Sequence, residues 1–189
     1  MKVFAPKDEN ELGRMLKTAL SLEGPVALRY PRGEGLGAAL EEPFTPLENL
    51  AAEVLEEEGE IALLAVGSMV DAAQKTAKLL KEEELSAAVV NMRTVKPLDE
   101  ELLHRMAHEK KMLVTMEENA LAGGFGSAVL EALADAGLLV PVVRFGIGDA
   151  FIEQGKPQEL LEMAGLLPEQ MARSILTAWK GARDGEGAA

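Results

Sequence analysis

The sequence predicts an α/β protein, a three-layer fold in which a mostly parallel sheet is covered by helices on both faces. Three observations carry this. Short, continuously apolar runs recur along the chain, as strands buried on both faces require. Segments with helical apolar spacing separate them, the alternation expected of strand–helix–strand units. Hydrophobic residues make up 48% of the 189 positions, enough for a sizeable core, and at 4% aromatics that core must be aliphatic.

The first segment reads strand, helix, strand. Val3-Phe4-Ala5 is a short apolar run ended by Pro6. Asp8 stands three residues before Glu11, an aspartate variant of the capping box. Leu12, Met15, Leu16, Ala19 and Leu20 then form one apolar helical stripe, ended by Gly24-Pro25. Val26-Ala27-Leu28 is the next strand and runs into Arg29-Tyr30-Pro31-Arg32-Gly33. From Gly33 to about Ala52, Gly and Pro punctuate the chain and no period survives, which predicts a linker with room for a short edge strand.

The second segment alternates regularly. Strands are predicted at Ile61–Val66, Ala87–Met92, Met112–Met116 and Val140–Phe145. Ser68 is placed to cap the helix through Met69, Ala73, Ala77 and Leu80, and Pro97-Leu98-Asp99 opens a helix through Leu102, Leu103 and Met106. A loop from Glu117 to Gly123 leads to a helix through Ser127, Val129 and Leu133. Two further helices are predicted near Pro157–Ala164 and Pro168–Trp179, and a frayed tail from Ala182. In a parallel sheet the functional edge is the one at the C-terminal ends of the strands.

Composition excludes several classes of function. A formal net charge of −13 disfavours broad nucleic-acid binding. No apolar run reaches the ~20 residues of a membrane span, and no signal peptide is evident, so a cytoplasmic protein is expected. With no cysteine there is neither a disulfide nor a thiolate metal site. The acidic run Glu56–Glu60 reads as a solvated turn or helix end. His104 and His108 lie four apart on one helix but lack the glutamate of a zinc protease motif, so they read as surface histidines.

Three features remain as candidates for chemistry. Gly123-Gly124-Phe125-Gly126-Ser127 opens a helix after a strand but matches neither dinucleotide-binding nor P-loop spacing. Its glycines are better read as allowing a tight turn or a close neighbour. Glu117 and Glu118 stand at the functional edge, but adjacent residues point apart, so contact with a partner chain fits them better than an acid–base dyad. Arg29 and Arg32 bracket Tyr30-Pro31 at a strand end, and guanidinium groups so placed suit a phosphate or an interdomain salt bridge.

The order of motifs is more specific than any one of them. "APKDENE" (Ala5–Glu11) followed by "GPVALRYPRG" (Gly24–Gly33) resembles the end of the pyrimidine-binding domain in the transketolase superfamily. The "RYPRG" form, with "MRTVKPLDEELL" (Met92–Leu103), "VTMEENALAGGFGSAV" (Val114–Val129) and "FGIGDAFIEQG" (Phe145–Gly155), resembles the 1-deoxy-D-xylulose-5-phosphate synthase family in particular. Two positions depart from it: Gly148, where relatives often carry Pro, and Gln154, where many carry His.

The resemblance implies a transketolase C-terminal-domain-like fold at 55–181, preceded by the end of a pyrimidine-binding domain (1–36) and a linker (37–54), and followed by a flexible tail (182–189). It implies a longer enzyme that uses thiamine diphosphate and magnesium to condense pyruvate with D-glyceraldehyde 3-phosphate, releasing carbon dioxide. Cofactor-binding and catalytic residues would lie upstream, so this chain is expected to hold no cofactor and to be inactive alone. Arg32, supported by Arg29, would bind the substrate phosphate. The chain would homodimerise, with Glu117, Glu118, Asn119 and Gly124 as candidate contacts, and would pack against the missing N-terminal domains. Its alternatives are the C-terminal subunit of another transketolase-like enzyme and a non-catalytic assembly module.

Overall fold

A computed structural model of the chain describes residues 1–186. Its elements are β1 (Lys2–Phe4), α1 (Glu9–Ser21), β2 (Val26–Leu28), β3 (Glu53–Glu56), β4 (Ile61–Ala65), α2 (Met69–Glu82) and β5 (Ala87–Asn91). They continue with β6 (Thr94–Lys96), α3 (Glu100–Glu109), β7 (Met112–Ala120), α4 (Phe125–Asp135), β8 (Val142–Ile147), α5 (Pro157–Met163) and α6 (Pro168–Glu186).

The larger sheet has the order β3-β5-β4-β7-β8, with β4, β5, β7 and β8 parallel and β3 antiparallel at one edge. Alternation along β4 shows why its run is apolar throughout. Ile61, Leu63 and Ala65 join one core with Met69, Ala73 and Leu80 of α2 and Met171, Ile175 and Trp179 of α6. Ala62 and Leu64 join the opposite core with Leu103 and Met106 of α3 and Val129 and Leu133 of α4. The fold is therefore the expected three-layer α/β arrangement with a mostly parallel sheet.

The first segment does not stand alone. Strands β1 and β2 pair in parallel, and β1 pairs antiparallel with β6, which belongs to the second segment, in a three-stranded sheet of order β2-β1-β6. Phe4, Met15 and Leu47 form its small core. The stretch read as a linker is strapped along α1. The Glu9 carboxylate accepts from the Gly37 amide (2.7 Å), Lys17 Nζ donates to the Phe44 carbonyl (2.7 Å), and the Leu47 amide donates to Thr18 Oγ1 (2.8 Å). Side chain-to-backbone bonds of this kind need no apolar period, which is why the sequence showed none.

Several boundaries move. The expected break at 54–55 falls inside β3, whose sequence Glu-Val-Leu-Glu lacks a buried pattern because β3 has a neighbour on one side only. β7 runs on to Ala120, through residues expected in a loop, after a register shift between Met116 and Ala120. The expected tail begins inside α6, and its last residues, 187–189, lie outside the described residues. Ser68 is itself helical (φ −52°, ψ −24°) and makes no cap hydrogen bond. Asp8 does cap α1 by accepting from the Glu11 amide (2.7 Å), but the Glu11 side chain turns elsewhere and does not complete the box.

Candidate functional site

The chain crosses a topological switch at β4 and β7. These strands are adjacent and parallel, yet the helix after β4 (α2) packs on one face and the helix after β7 (α4) on the other. The connections leaving their C-terminal ends diverge, and such a crevice is the usual ligand position in an open α/β sheet. Gly67 and Ser68 form one wall of it and Glu118 the other.

The Arg29-Tyr30-Pro31 turn covers this crevice and closes a pocket of about 90 Å³ with Gly67, Ser68 and Glu118. Ser68 Oγ donates to Glu118 Oε2 across it (2.7 Å). A wider cleft of about 310 Å³ shares Tyr30, Pro31 and Ser68 and extends between the start of α1 and Gly33–Leu36. Of the two candidate arginines, the structure brings Arg29 to the pocket, half-buried, while Arg32 stands exposed beyond it. Neither forms an ion pair among the described residues.

The two glutamates point apart, as adjacent strand residues must. Glu118 reaches Ser68, while Glu117 is fully buried and accepts from the Phe125 and Gly126 amides (2.8 Å each). A carboxylate on the first amides of α4 satisfies orphan donors and meets the positive end of the helix dipole. The glycine-rich loop thus carries the chain's own anion. Gly124 has no room for a Cβ against the Ala120 carbonyl and the Glu117 carboxylate, which accounts for that glycine by close approach. Of the candidate contact residues, Glu118 is half-buried and Asn119 exposed, whereas Glu117 and Gly124 are turned inward.

A second polar cluster, unexpected from the residue pattern, lies beside the site. Glu11, only 3% exposed, accepts from Asn91 Nδ2 (2.9 Å), Arg93 Nε (2.9 Å) and the Lys7 amide (2.7 Å). Glu53 Oε2 lies 2.6 Å from Lys7 Nζ and 3.4 Å from the Arg93 guanidinium. Burial disfavours the Glu53 carboxylate, but Lys7, Arg93 and Asn91 outweigh it and hold its pKa below the ordinary value. Lys7, Glu11 and Arg93 each sit within a quoted motif, but nothing in the spacing brings them together with Glu53 of β3 and Asn91 of β5. His104 is half-buried, with Nε2 lacking a partner, and so is not a plain surface histidine. Among the described residues no three His, Cys, Asp or Glu side chains gather as a metal site, and no helix is long and apolar enough to cross a membrane.

Comparison with known proteins agrees with this architecture. The family described as "Transketolase, C-terminal domain" matches residues 50–171. The chain belongs to the transketolase C-terminal domain family. It is 50% identical over 175 residues to 1-deoxy-D-xylulose-5-phosphate synthase of Prochlorococcus marinus (strain MIT 9211), covering 92% of this chain and 27% of that protein. The same enzyme of Symbiobacterium thermophilum is 51% identical over 173 residues, again 92% of this chain and 27% of that protein. The chain therefore spans about a quarter of the length of these relatives. A solved structure described as a split-gene transketolase, an inactive β4 tetramer, superposes with a TM-score of 0.81 at 34% identity, over 94% of this chain and 57% of that one.

Proposed function

We propose that this chain is the C-terminal part of a thiamine-diphosphate-dependent synthase that condenses pyruvate with D-glyceraldehyde 3-phosphate to 1-deoxy-D-xylulose 5-phosphate and carbon dioxide in the cytoplasm. The observation that carries the reading is the docking of the Arg29–Arg32 turn over the β4/β7 switch point, in a chain about half identical to synthases of that name. Arg32 is uncommitted and faces solvent, free to meet a phosphate, and Arg29 backs it from the pocket. A guanidinium keeps its charge and matches two phosphate oxygens at once.

In this reading no residue of this chain performs a catalytic step. When bound, the cofactor supplies the carbanion chemistry. The residues that hold it belong, in this reading, to the upstream part of the longer protein. The isolated chain is then inactive, and calorimetry with thiamine diphosphate and magnesium should show no stoichiometric micromolar binding.

Self-association belongs to the same reading. Leu139 and Phe151 lie fully in solvent, and Met163 is 67% exposed, an apolar display suited to a second copy. Glu118 and Asn119 are the candidate contacts with side chains at the surface. Sedimentation should show a dimer or larger; a compact monomer over a wide concentration range contradicts this.

The decisive experiment is Arg32→Ala in the longer protein. Loss of one charge-assisted bond predicts a KM for glyceraldehyde 3-phosphate raised roughly tenfold to a hundredfold, with that for pyruvate little changed. Lysine should rescue in part. Equal effects on both substrates would reject the site. A second reading, the C-terminal subunit of a split transketolase, is favoured by the likeness to the split-gene structure. An adjacent upstream reading frame encoding the missing domains would select it.

A further inference from the structure

We propose that Glu9 is a positioning residue for Arg32, its carboxylate the point around which the segment after the arginine curls; this rests on the phosphate reading above. Arg32 is followed by Gly33-Glu34-Gly35-Leu36-Gly37. Alternate glycines leave the backbone much freedom to lose, so a guanidinium carried on this segment has no fixed direction of its own. In the structure the segment bends around the first side chain of α1. Glu9 Oε1 accepts from the Gly37 amide (2.7 Å) and Oε2 from the Ala38 amide (3.5 Å). Gly37 has φ +77°, and Gly35 passes so close to the Glu9 carboxylate that a Cβ there has no room. Successive amides turned onto one anion form a nest. The Glu9 carboxyl is held below its ordinary pKa, first by its own amide and then by that of Gly37, so it is charged at neutral pH.

Both ends of the arginine turn are thereby tied to one strand–helix unit. The Arg29 amide donates to the carbonyl of Phe4 at the end of β1 (2.8 Å), and the Gly37 amide donates to Glu9 at the start of α1. Arg32 stands between these two tethers. Among the described residues, the next hydrogen-bond tether along the chain is the Glu41 amide on Asn10 Oδ1 (2.9 Å). Without the Glu9 carboxylate, the untied span therefore runs from Arg29 to Glu41, with Gly33, Gly35 and Gly37 inside it. The guanidinium must then be ordered when a phosphate arrives. That cost falls on substrate binding and not on turnover.

Glu9→Ala and Gly35→Ala test this from the two sides of the contact. The first removes the carboxylate. The second keeps it but pushes it from its seat, since the end of a flexible side chain gives way before backbone does. In the 189-residue chain both should speed hydrogen exchange at Gly37 and Ala38 roughly tenfold and leave the β4 amides unchanged. In the longer enzyme both should raise KM for glyceraldehyde 3-phosphate roughly threefold to tenfold at near-constant kcat, with KM for pyruvate unaffected. Glu9→Gln, which keeps an acceptor for Gly37, should recover part of the loss. On an Arg32→Ala background, Glu9→Ala should add nothing, because its effect passes through the arginine. Unchanged exchange at Gly37, equal damage to both substrates, or full additivity with Arg32→Ala overturns the proposal. If Glu9→Ala does not fold, Gly35→Ala carries the same test with the same outcomes. If Arg32→Ala leaves both KM values untouched, the phosphate reading fails, and exchange at Gly37 decides separately whether Glu9 holds the segment.

Discussion

In the larger sheet every side chain of β4 and β5 is buried, whereas β2 of the smaller sheet is half-exposed along its whole length. The larger sheet carries an aliphatic core on each face. The smaller one rests on Phe4, Met15 and Leu47, and polar groups at its junction hold much of the rest. Two sheets in one chain are thus held by different physics, one by burial and the other by ion pairs and hydrogen bonds. The first should tolerate changes of pH and salt but not cavities. The second should respond in the opposite sense.

The largest effect is expected at Leu63, fully buried in the centre of β4. Leu63→Ala should cost about 2–5 kcal/mol, as lost burial and a cavity add together. Urea unfolding of the isolated chain measures it. A loss under about 1 kcal/mol would mean that the β4 core collapses around the gap and is less tightly specified than its burial suggests.

Next comes Glu117, the one fully buried carboxylate in the strands of the larger sheet. Glu117→Gln keeps one acceptor but turns an amide NH₂ toward the other N–H of α4, so a buried donor loses its partner. The expected cost is about 1–3 kcal/mol in urea, with faster exchange at Phe125 and Gly126. No loss would show that the glycine-rich turn stands without its anion.

These two positions differ in how far the sequence revealed them. Leu63 was legible because β4 is buried on both faces, and a strand so placed must be apolar throughout. Glu117 was read as a loop residue, since a charged pair in a strand breaks that pattern; its burial depends on α4 amides eight and nine residues later. β6 has three residues and one apolar side chain, too little to signal a strand, and its partner β1 lies about ninety residues upstream. The Arg29 turn was legible as a motif, but its seat against Ser68 and Glu118 is a tertiary fact. The Glu11–Arg93 pair has no local signal at all, because its members are 82 residues apart.

A smaller effect should follow acidification of the junction. Burial alone would raise the pKa of Glu53, but Lys7, Arg93 and Asn91 more than offset this, and the net shift is downward. A carboxylate whose folded pKa lies below its unfolded value stabilises the fold above the unfolded value, near 4.5, and loses that contribution as pH falls through the folded one. Because Glu53 is partly solvated, the contribution should be about 1 kcal/mol or less. Between pH 7 and pH 3, exchange at the β1 and β2 amides should quicken relative to β4, and Glu53→Gln should flatten the difference. A junction equally protected at both pH values would place its stability in the small apolar core instead.

The smallest stability effect should be at Leu20, and it tests the apolar side of the same comparison. The helical stripe of α1 is five residues wide in sequence, yet only Met15 is fully buried, while Leu16 and Leu20 remain 52% and 82% exposed. Phe4 and Leu47 offer too little surface to cover the whole stripe. A side chain already in water loses little on becoming charged, so Leu20→Glu should change stability by no more than about 0.5 kcal/mol. Removing an exposed leucine should still reduce self-association if α1 takes part in it, which sedimentation beside the urea titration would detect. A loss as large as that of Leu63→Ala would show Leu20 to be buried against a second copy, and the smaller sheet would then depend on apolar burial after all, supplied from outside the chain.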